Sequence, residues 1–248
     1  MKLFSIFGKL AVPFFYIGKI KDKNMAYVGF GNGIIFTTRV NSFDAVVLYE
    51  IWKNRCYQAA QIKKNDIVVD IGAHIGGYAV WADKLGAKVI AYEPLPSNYQ
   101  LLLKNIKLNK SENIKSHNVA VSSKTGEITL HVEKRIGLSS IYPSATETIT
   151  VPSIGLHEIF TSNKFRKISL LKMDVEGAEY DILLHARTED LQKIETLIIE
   201  YHDFFDHGHS KAELKALLQN NGFSVNEVSP WYQGFLLKFG IILATKNV

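Results

Sequence analysis

The chain has 248 residues, 47% of them hydrophobic and 21% charged, the composition of a folded globular protein with one large core and room for an appendage. Its single cysteine, Cys56, excludes an intrachain disulfide and fits a reducing, cytoplasmic setting. The net charge of +5 is carried by scattered lysines with no dense basic block, which argues against a nucleic-acid partner held by charge alone.

The first twenty residues, "MKLFSIFGKLAVPFFYIGKI", are apolar and basic. Lys2, Lys9 and Lys19 interrupt the run and Pro13 breaks it, so no uncharged stretch approaches the ~20 residues that span a bilayer. The segment reads as an amphipathic lid packed on the domain, with peripheral membrane contact as the alternative. Residues 25–40 read as a hairpin around Gly31-Asn32-Gly33. Residues 42–54 carry Phe43, Val46, Val47 and Trp52 near one helical face, with Ser42 as N-cap. These pieces, residues 1–60, form an N-terminal cap.

From residue 61 onward the pattern is regular. Strands are expected at 66–70, 88–93, 114–121, 168–174 and 195–201, and helices at 75–86, 97–109, 176–186 and 210–220. Continuous apolar strands such as "TLIIE" mark a parallel sheet covered on both faces. "FSVNEV" and "GIILATK" add two closing strands. An insertion near 122–165 holds two more, "GEITLHV" and "TETITV". The expected fold class is α/β: a doubly wound, mostly parallel, Rossmann-like sheet over residues 61–248.

The first strand feeds the turn in "VVDIGAHIGGYAVW", residues 68–81. Ligands of such folds bind beyond the carboxyl ends of the strands. A dinucleotide fingerprint would need glycine at position 74, where an imidazole obstructs a pyrophosphate, and Asp70 would repel a diphosphate. S-adenosylmethionine has no phosphate, and its ammonium welcomes a carboxylate. Glu93 ends the second strand, where an acid can accept both ribose hydroxyls.

"DIVVDIGAHIGGYA", "AYEPLPSNYQLLLKNIKLN", "LLKMDVEGAEYDIL" and "LIIEYH" together resemble the FkbM-type S-adenosylmethionine-dependent methyltransferases, from about residue 42 to 202. The Asp174–Glu179 segment, D-V-E-G-A-E, is the most specific piece. The resemblance implies a class I methyltransferase fold and methyl transfer to a hydroxyl oxygen. The cofactor set it implies is Asp70, Gly72, Ala73, His74, Gly76, Glu93, Pro94, Asn118 and Asp174. His74 stands where the family more often has asparagine. Residues 1–40 and the insertion fit no pattern of the family and are the expected source of acceptor choice.

For the chemistry, the strand order puts Asp174 and Glu200 side by side, with the Asp174 carboxylate expected to meet backbone N–H groups at the start of the next helix. Glu176 is expected in that helix's first turn and Glu179 three residues on. His202 leaves its strand on the same face as Glu200, and a histidine is a natural base for a hydroxyl. Asp174, Glu200 and His202 are therefore the expected catalytic groups. The stretch "HDFFDHGH", 202–209, is also dense enough in His and Asp to consider a divalent metal, which is not the favoured reading. Amine methylation is disfavoured because the Asn/Asp-Pro-Pro-Tyr motif is missing after the fourth strand, and cytosine methylation because Cys56 precedes the cofactor turn; that thiol reads as packing. The expected acceptor is a sugar, glycan or other polyhydroxylated small molecule. A methyltransferase acting on RNA or protein and a non-catalytic nucleoside-binding module stay open as alternatives.

Overall fold

The computed structural model describes residues 16–19, 24–133, 138–140, 147–203, 208–229 and 239–246. Residues 1–15 of the expected lid, and Asp206 and His207 of the acid–histidine stretch, lie outside them. Within the lid segment, β1 (Tyr16–Lys19) is a strand antiparallel to β2 (Met25–Phe30), which pairs in turn with β3 (Ile34–Arg39). The expected hairpin turn is a 3-10 turn over Gly31–Gly33. α1 (Asp44–Tyr49) starts two residues later than expected and has Phe43, not Ser42, at its N-cap. The Ser42 hydroxyl still accepts from the Asp44 N–H at 3.2 Å. α1 continues as a π-helical turn over Glu50–Asn54 and stops at Arg55, whose left-handed backbone (φ 57°) redirects the chain.

The main sheet has seven strands in the order β13-β14-β12-β11-β4-β5-β6. They are β4 (Ile67–Ile71), β5 (Lys88–Tyr92), β6 (Ile114–His117), β11 (Ile168–Met173), β12 (Ile194–His202), β13 (Phe223–Glu227) and β14 (Phe239–Lys246). β14 runs against β12 and β13, and the other pairs are parallel. Alternate residues feed two cores: Val69, Leu171 and Ile199 face one, and Val68, Leu170 and Ile198 the other. α2 (Gly77–Lys84), α3 (Pro96–Leu108), α5 (Glu179–Leu184), α6 (Thr188–Leu191) and α7 (Lys211–Asn220) connect the strands. Among the described residues, α7 alone carries a full capping box, made by Ser210 and Glu213.

Two sequence expectations are corrected. The strand expected over 114–121 breaks at Asn118, whose side-chain amide donates to the Glu93 and Pro94 carbonyls at 2.8 and 2.9 Å. Beyond that break β7 (Ala120–Ser122) leaves for a second sheet, order β7-β10-β8-β9, with β8 (Gly126–Glu133), β9 (Leu138–Ser140) and β10 (Glu147–Gly155). α4 (Leu156–Asn163) then returns the chain to β11. The helix expected from 176 begins at Glu179, because Glu176 and Gly177 take left-handed backbone, φ 51° and 101°. Glu176 therefore sits in a loop and not in a first helical turn.

The cap is fastened to α3 by two asparagines. Asn105 Oδ1 accepts from the Thr37 N–H and Asn109 Oδ1 from the Ile35 N–H, at 2.7 and 3.0 Å, while their amides donate back to the same residues' carbonyls. This satisfies a strand edge that would otherwise be left unpaired. Asn105 also donates to the Ile75 carbonyl, which ties the hairpin to the turn after β4.

Candidate functional site

A cleft opens at the carboxyl ends of β4, β5 and β11, lined among others by Gly72, His74, Glu93, Pro94, Asp174 and Glu176. The turn after β4 has left-handed backbone at Gly72, His74 and Gly76. Gly72 has no alternative: a Cβ there would lie 1.8 Å from the Asp174 carbonyl oxygen. Ala73 is buried, and with Gly72 it donates its N–H to the Tyr92 carbonyl. Gly76 starts α2 against Leu102.

Glu93 is buried under the rim of the cleft. It accepts from the His74 N–H (2.8 Å), the Leu95 N–H (2.9 Å) and the Asn98 amide (3.2 Å), while burial raises its pKa. A carboxylate has about four acceptor positions, so about one is left for a ribose hydroxyl where the sequence allowed for two. Asn118 supports the Glu93–Pro94 backbone from behind. His74 reaches the other way: its Nε2 lies 3.3 Å from Asp44 Oδ1, and its buried Nδ1 has no hydrogen-bond partner among the described residues. Asp44 also binds Arg39 through two side-chain contacts and accepts the Arg39 N–H. Burial alone would raise the Asp44 pKa, but His74 and Arg39 hold it well below the carboxylate range. His74 thus clasps the cap to the turn after β4.

Asp70 is placed differently from the other members of the predicted set. It is fully buried beneath the turn and is not part of the cleft wall. Lys172, its neighbour in register on β11, lies 3.3 Å from Asp70 Oδ1, 3.7 Å from Asp174 Oδ2, and donates to the Gly72 carbonyl. Burial disfavours the ammonium, yet the surrounding carboxylates raise the Lys172 pKa. A lysine in "ISLLKM" was a visible signal, since a charge inside a buried parallel strand needs a partner.

Asp174 and Glu200 do come together, through a residue that sequence reasoning missed. The Tyr57 hydroxyl lies 3.2 Å from Asp174 Oδ2 and 2.5 Å from Glu200 Oε2. The expected backbone N–H partners of the Asp174 carboxylate are replaced, among the described contacts, by Tyr57 and Lys172. Burial and the Asp174 charge push the Glu200 pKa up to about 8. Burial, with Asp174 and Glu179, pushes Glu176 up to about 7 against the pull of His202.

His202 is anchored by Glu179, which has no solvent exposure. Glu179 Oε1 accepts the His202 backbone N–H at 2.6 Å and lies 3.1 Å from Nδ1, while Oε2 accepts the Gly177 N–H. Nε2 faces Glu176 at 3.7 Å. Burial works against the imidazolium, but Glu179, Glu176 and Asp174 together raise its pKa to about 10. Donor atoms of Asp174, Glu176 and His202 lie within 4.8 Å of one another, a spacing that suits a divalent cation. Of the 202–209 stretch, Asp203 instead bonds the Tyr180 hydroxyl, and His209 lies 3.6 Å from Glu213.

The residues at the cleft fit a nucleoside cofactor that lacks phosphate: glycine where backbone approaches closely, an acid at the end of β5, an unpartnered imidazole nitrogen, and carboxylates in place of a phosphate cradle. The Methyltransferase FkbM domain matches residues 70–225. The chain is 27% identical to the 31-O-demethyl-FK506 methyltransferase FkbM of Streptomyces tacrolimicus, over 79% of this chain and 88% of that protein. It is 28% identical to the hexuronic acid methyltransferase AglP of Haloferax volcanii, over 62% of this chain and 66% of that protein. Among solved structures it shares its fold with M. jannaschii TYW2 in complex with AdoMet, at TM-score 0.51 and 16% identity, over 92% of this chain and 87% of that one. No helix among the described residues is long and apolar enough to cross a membrane. With the glycine turn, the acid at the end of β5 and the D-V-E-G-A-E loop on one cleft, and the family domain spanning more than half of the sequence, the chain belongs to the FkbM family and is an S-adenosylmethionine-dependent methyltransferase.

Proposed function

We propose that the enzyme methylates a hydroxyl oxygen of a sugar, glycan or other polyhydroxylated small molecule. The observation that carries this reading is the set of ionisable groups at the inner end of the cleft: Asp174 and Glu176 in its lining, with the Tyr57 hydroxyl joining Asp174 to Glu200 behind it and His202 facing Glu176. An alcohol must lose its proton as its oxygen attacks, and a positioned carboxylate takes it. The names of the FkbM and AglP relatives, which refer to a 31-O-demethyl compound and to hexuronic acid, support the same direction.

In this reading Gly72, Ala73, His74, Gly76, Glu93 and Pro94 hold the cofactor, which supplies a methyl carbon already activated by a sulfonium. Asn118 acts by bracing Glu93, and Asp70 by holding Lys172 under the turn. Asp174 receives the acceptor's proton. His202, with a pKa near 10, carries its own proton at neutral pH, so we assign it the role of a fixed positive charge between Glu179 and Glu176 and not that of the base. The reading needs no metal. Purified enzyme with labelled S-adenosylmethionine, offered saccharides, polyols, RNA and protein, should transfer label to a hydroxyl of the small-molecule set, with or without EDTA. Transfer confined to RNA or protein refutes the acceptor class. Loss of turnover with EDTA and recovery with Mg²⁺ would instead seat an ion on Asp174, Glu176 and His202.

A further inference from the structure

We infer that a second cavity, on the outer side of the helical segment 44–54, binds a sugar unit that carries an anionic group and so anchors a glycan acceptor away from the cleft. The anchoring role rests on the reading of the enzyme as a methyltransferase of sugars and glycans; the binding does not. The cavity measures about 370 Å³, within the range of small-molecule sites. It is lined among others by Phe30 of β2, by Trp52, Lys53, Arg55 and Gln58 in and just after the helical segment, and by Trp81 of α2.

The aromatic rings are held as fixed plates. Trp52 donates its indole N–H to the Gly77 carbonyl at 3.2 Å and stacks on Phe30 with centroids 5.3 Å apart, while Trp81 packs on Tyr78 at 5.4 Å. Both tryptophans are only half-buried, so apolar ring surface is left to a ligand. The C–H face of a sugar packs on such a plate, and its hydroxyls stay free for groups such as the Gln58 amide. Lys53 and Arg55 add positive charge. Arg55 is exposed and, among the described residues, no carboxylate lies within ion-pair distance of it. It also holds the left-handed position that ends the helical segment, φ 57°, where glycine or asparagine is the usual choice. Turn geometry gives no reason for arginine there, whereas a guanidinium fork suits a carboxylate or sulfate on a sugar. A single-stranded nucleic acid would stack on the same rings, but it needs a basic track along its backbone, and the lysines of this chain form no dense block. Val47, on the same helical segment as Trp52, lines the cleft, and Tyr57, next to Gln58, touches Asp174. Cavity and cleft are therefore separated by about 10 Å, the width of one helix, a span that an oligosaccharide bridges and a monosaccharide does not.

The chain has three tryptophans, so indole N–H signals in a ¹⁵N spectrum report Trp52 and Trp81 directly, assigned with Trp81→Phe and Trp231→Phe. The probes are a short oligogalacturonate, a sulfated oligosaccharide, a neutral cello-oligosaccharide and an oligoribonucleotide. Both indole signals should move saturably with at least one acidic oligosaccharide, the tighter of the two naming the anionic group. The neutral probe should bind at least about tenfold more weakly, the loss of one charge-assisted bond. Arg55→Gly, which suits the left-handed backbone and so should fold, should weaken the acidic probe by a similar factor. Indoles that answer to neither acidic probe, equal affinity for the neutral one, wild-type affinity in Arg55→Gly, or tighter binding of the oligoribonucleotide would each overturn the inference. None of these measurements involves methyl transfer, so they stand whatever the acceptor proves to be. On an acidic glycan acceptor, Arg55→Gly should raise KM about tenfold and lower kcat far less. An unchanged KM beside intact binding at the indoles would refute the anchoring role.

Discussion

Replacing Glu179 by Gln tests whether His202 is a built-in cation. Glu179 is fully buried and meets three groups: the Gly177 N–H, the His202 N–H and the His202 ring. Removing one partner of a buried charged pair costs about 3–5 kcal/mol, because the other charge is left without compensation. The pKa of His202 gives a consistent size: a rise from 6.5 to about 10, at about 1.4 kcal/mol per pH unit, is at most about 5 kcal/mol. Because the folded value lies above the unfolded one, this stabilisation is fully present below pH 6.5 and is lost as the pH rises through about 10. Calorimetric unfolding of wild type and Glu179→Gln should therefore differ by about 6–15 °C near pH 6. The gap should shrink near pH 10 to the loss of about one hydrogen bond at Gly177, where the new amide faces an N–H. A gap of constant size across that range would mean that His202 is neutral when folded, and would return it to the list of candidate bases.

Three further outcomes follow from the geometry of the site. Glu93→Ala removes the one acceptor position open to a ribose hydroxyl, worth about 1.5–3 kcal/mol, so calorimetry should show S-adenosylhomocysteine affinity reduced at least about tenfold. It also strands three donors, and unchanged affinity would remove Glu93 from the cofactor set. Asp174→Asn should lower the methyl-transfer rate by about 10²–10⁴-fold with S-adenosylhomocysteine binding near wild type, and His202→Gln should cost less. Equal losses in single-turnover assays would make the imidazole the base. Asp44→Asn breaks the clasp to Arg39 and His74 and should lower Tm by several degrees. Since the Asp44 pKa is depressed, its stabilisation is present above the unfolded value of 3.8, so the loss should be present at about pH 5 and shrink as the pH falls well below 3.8.

The parts of this molecule that were readable in advance are those fixed by short-range pattern. A branched apolar run followed by glycines could only be a strand and a tight turn, and the Gly72 contact with Asp174 shows why the glycine is compulsory. Strand order alone brought Asp174 beside Glu200, and the register, which pairs Met173 with Ile199, agrees. What the pattern could not carry is which side chains meet above those strand ends. Tyr57 reaches its two acids across 117 and 143 residues, and its own surroundings, "NRCYQ", contain no periodicity that points to them. Glu179 looked like an ordinary acid near the start of a helix. The left-handed pair Glu176–Gly177 delays the helix, and so frees Glu179 to fold back on Gly177 and His202. That single backbone choice sets both acids against the His202 ring: Glu176 toward Nε2, Glu179 beneath Nδ1. The cap, whose residues 1–40 fit no pattern of the family, reaches the cleft through two later residues, Tyr57 on the acid pair and Asp44 on His74. A ligand that displaces the cap would therefore disturb the turn after β4 and the contact between Asp174 and Glu200 together, a coupling set by tertiary contacts alone.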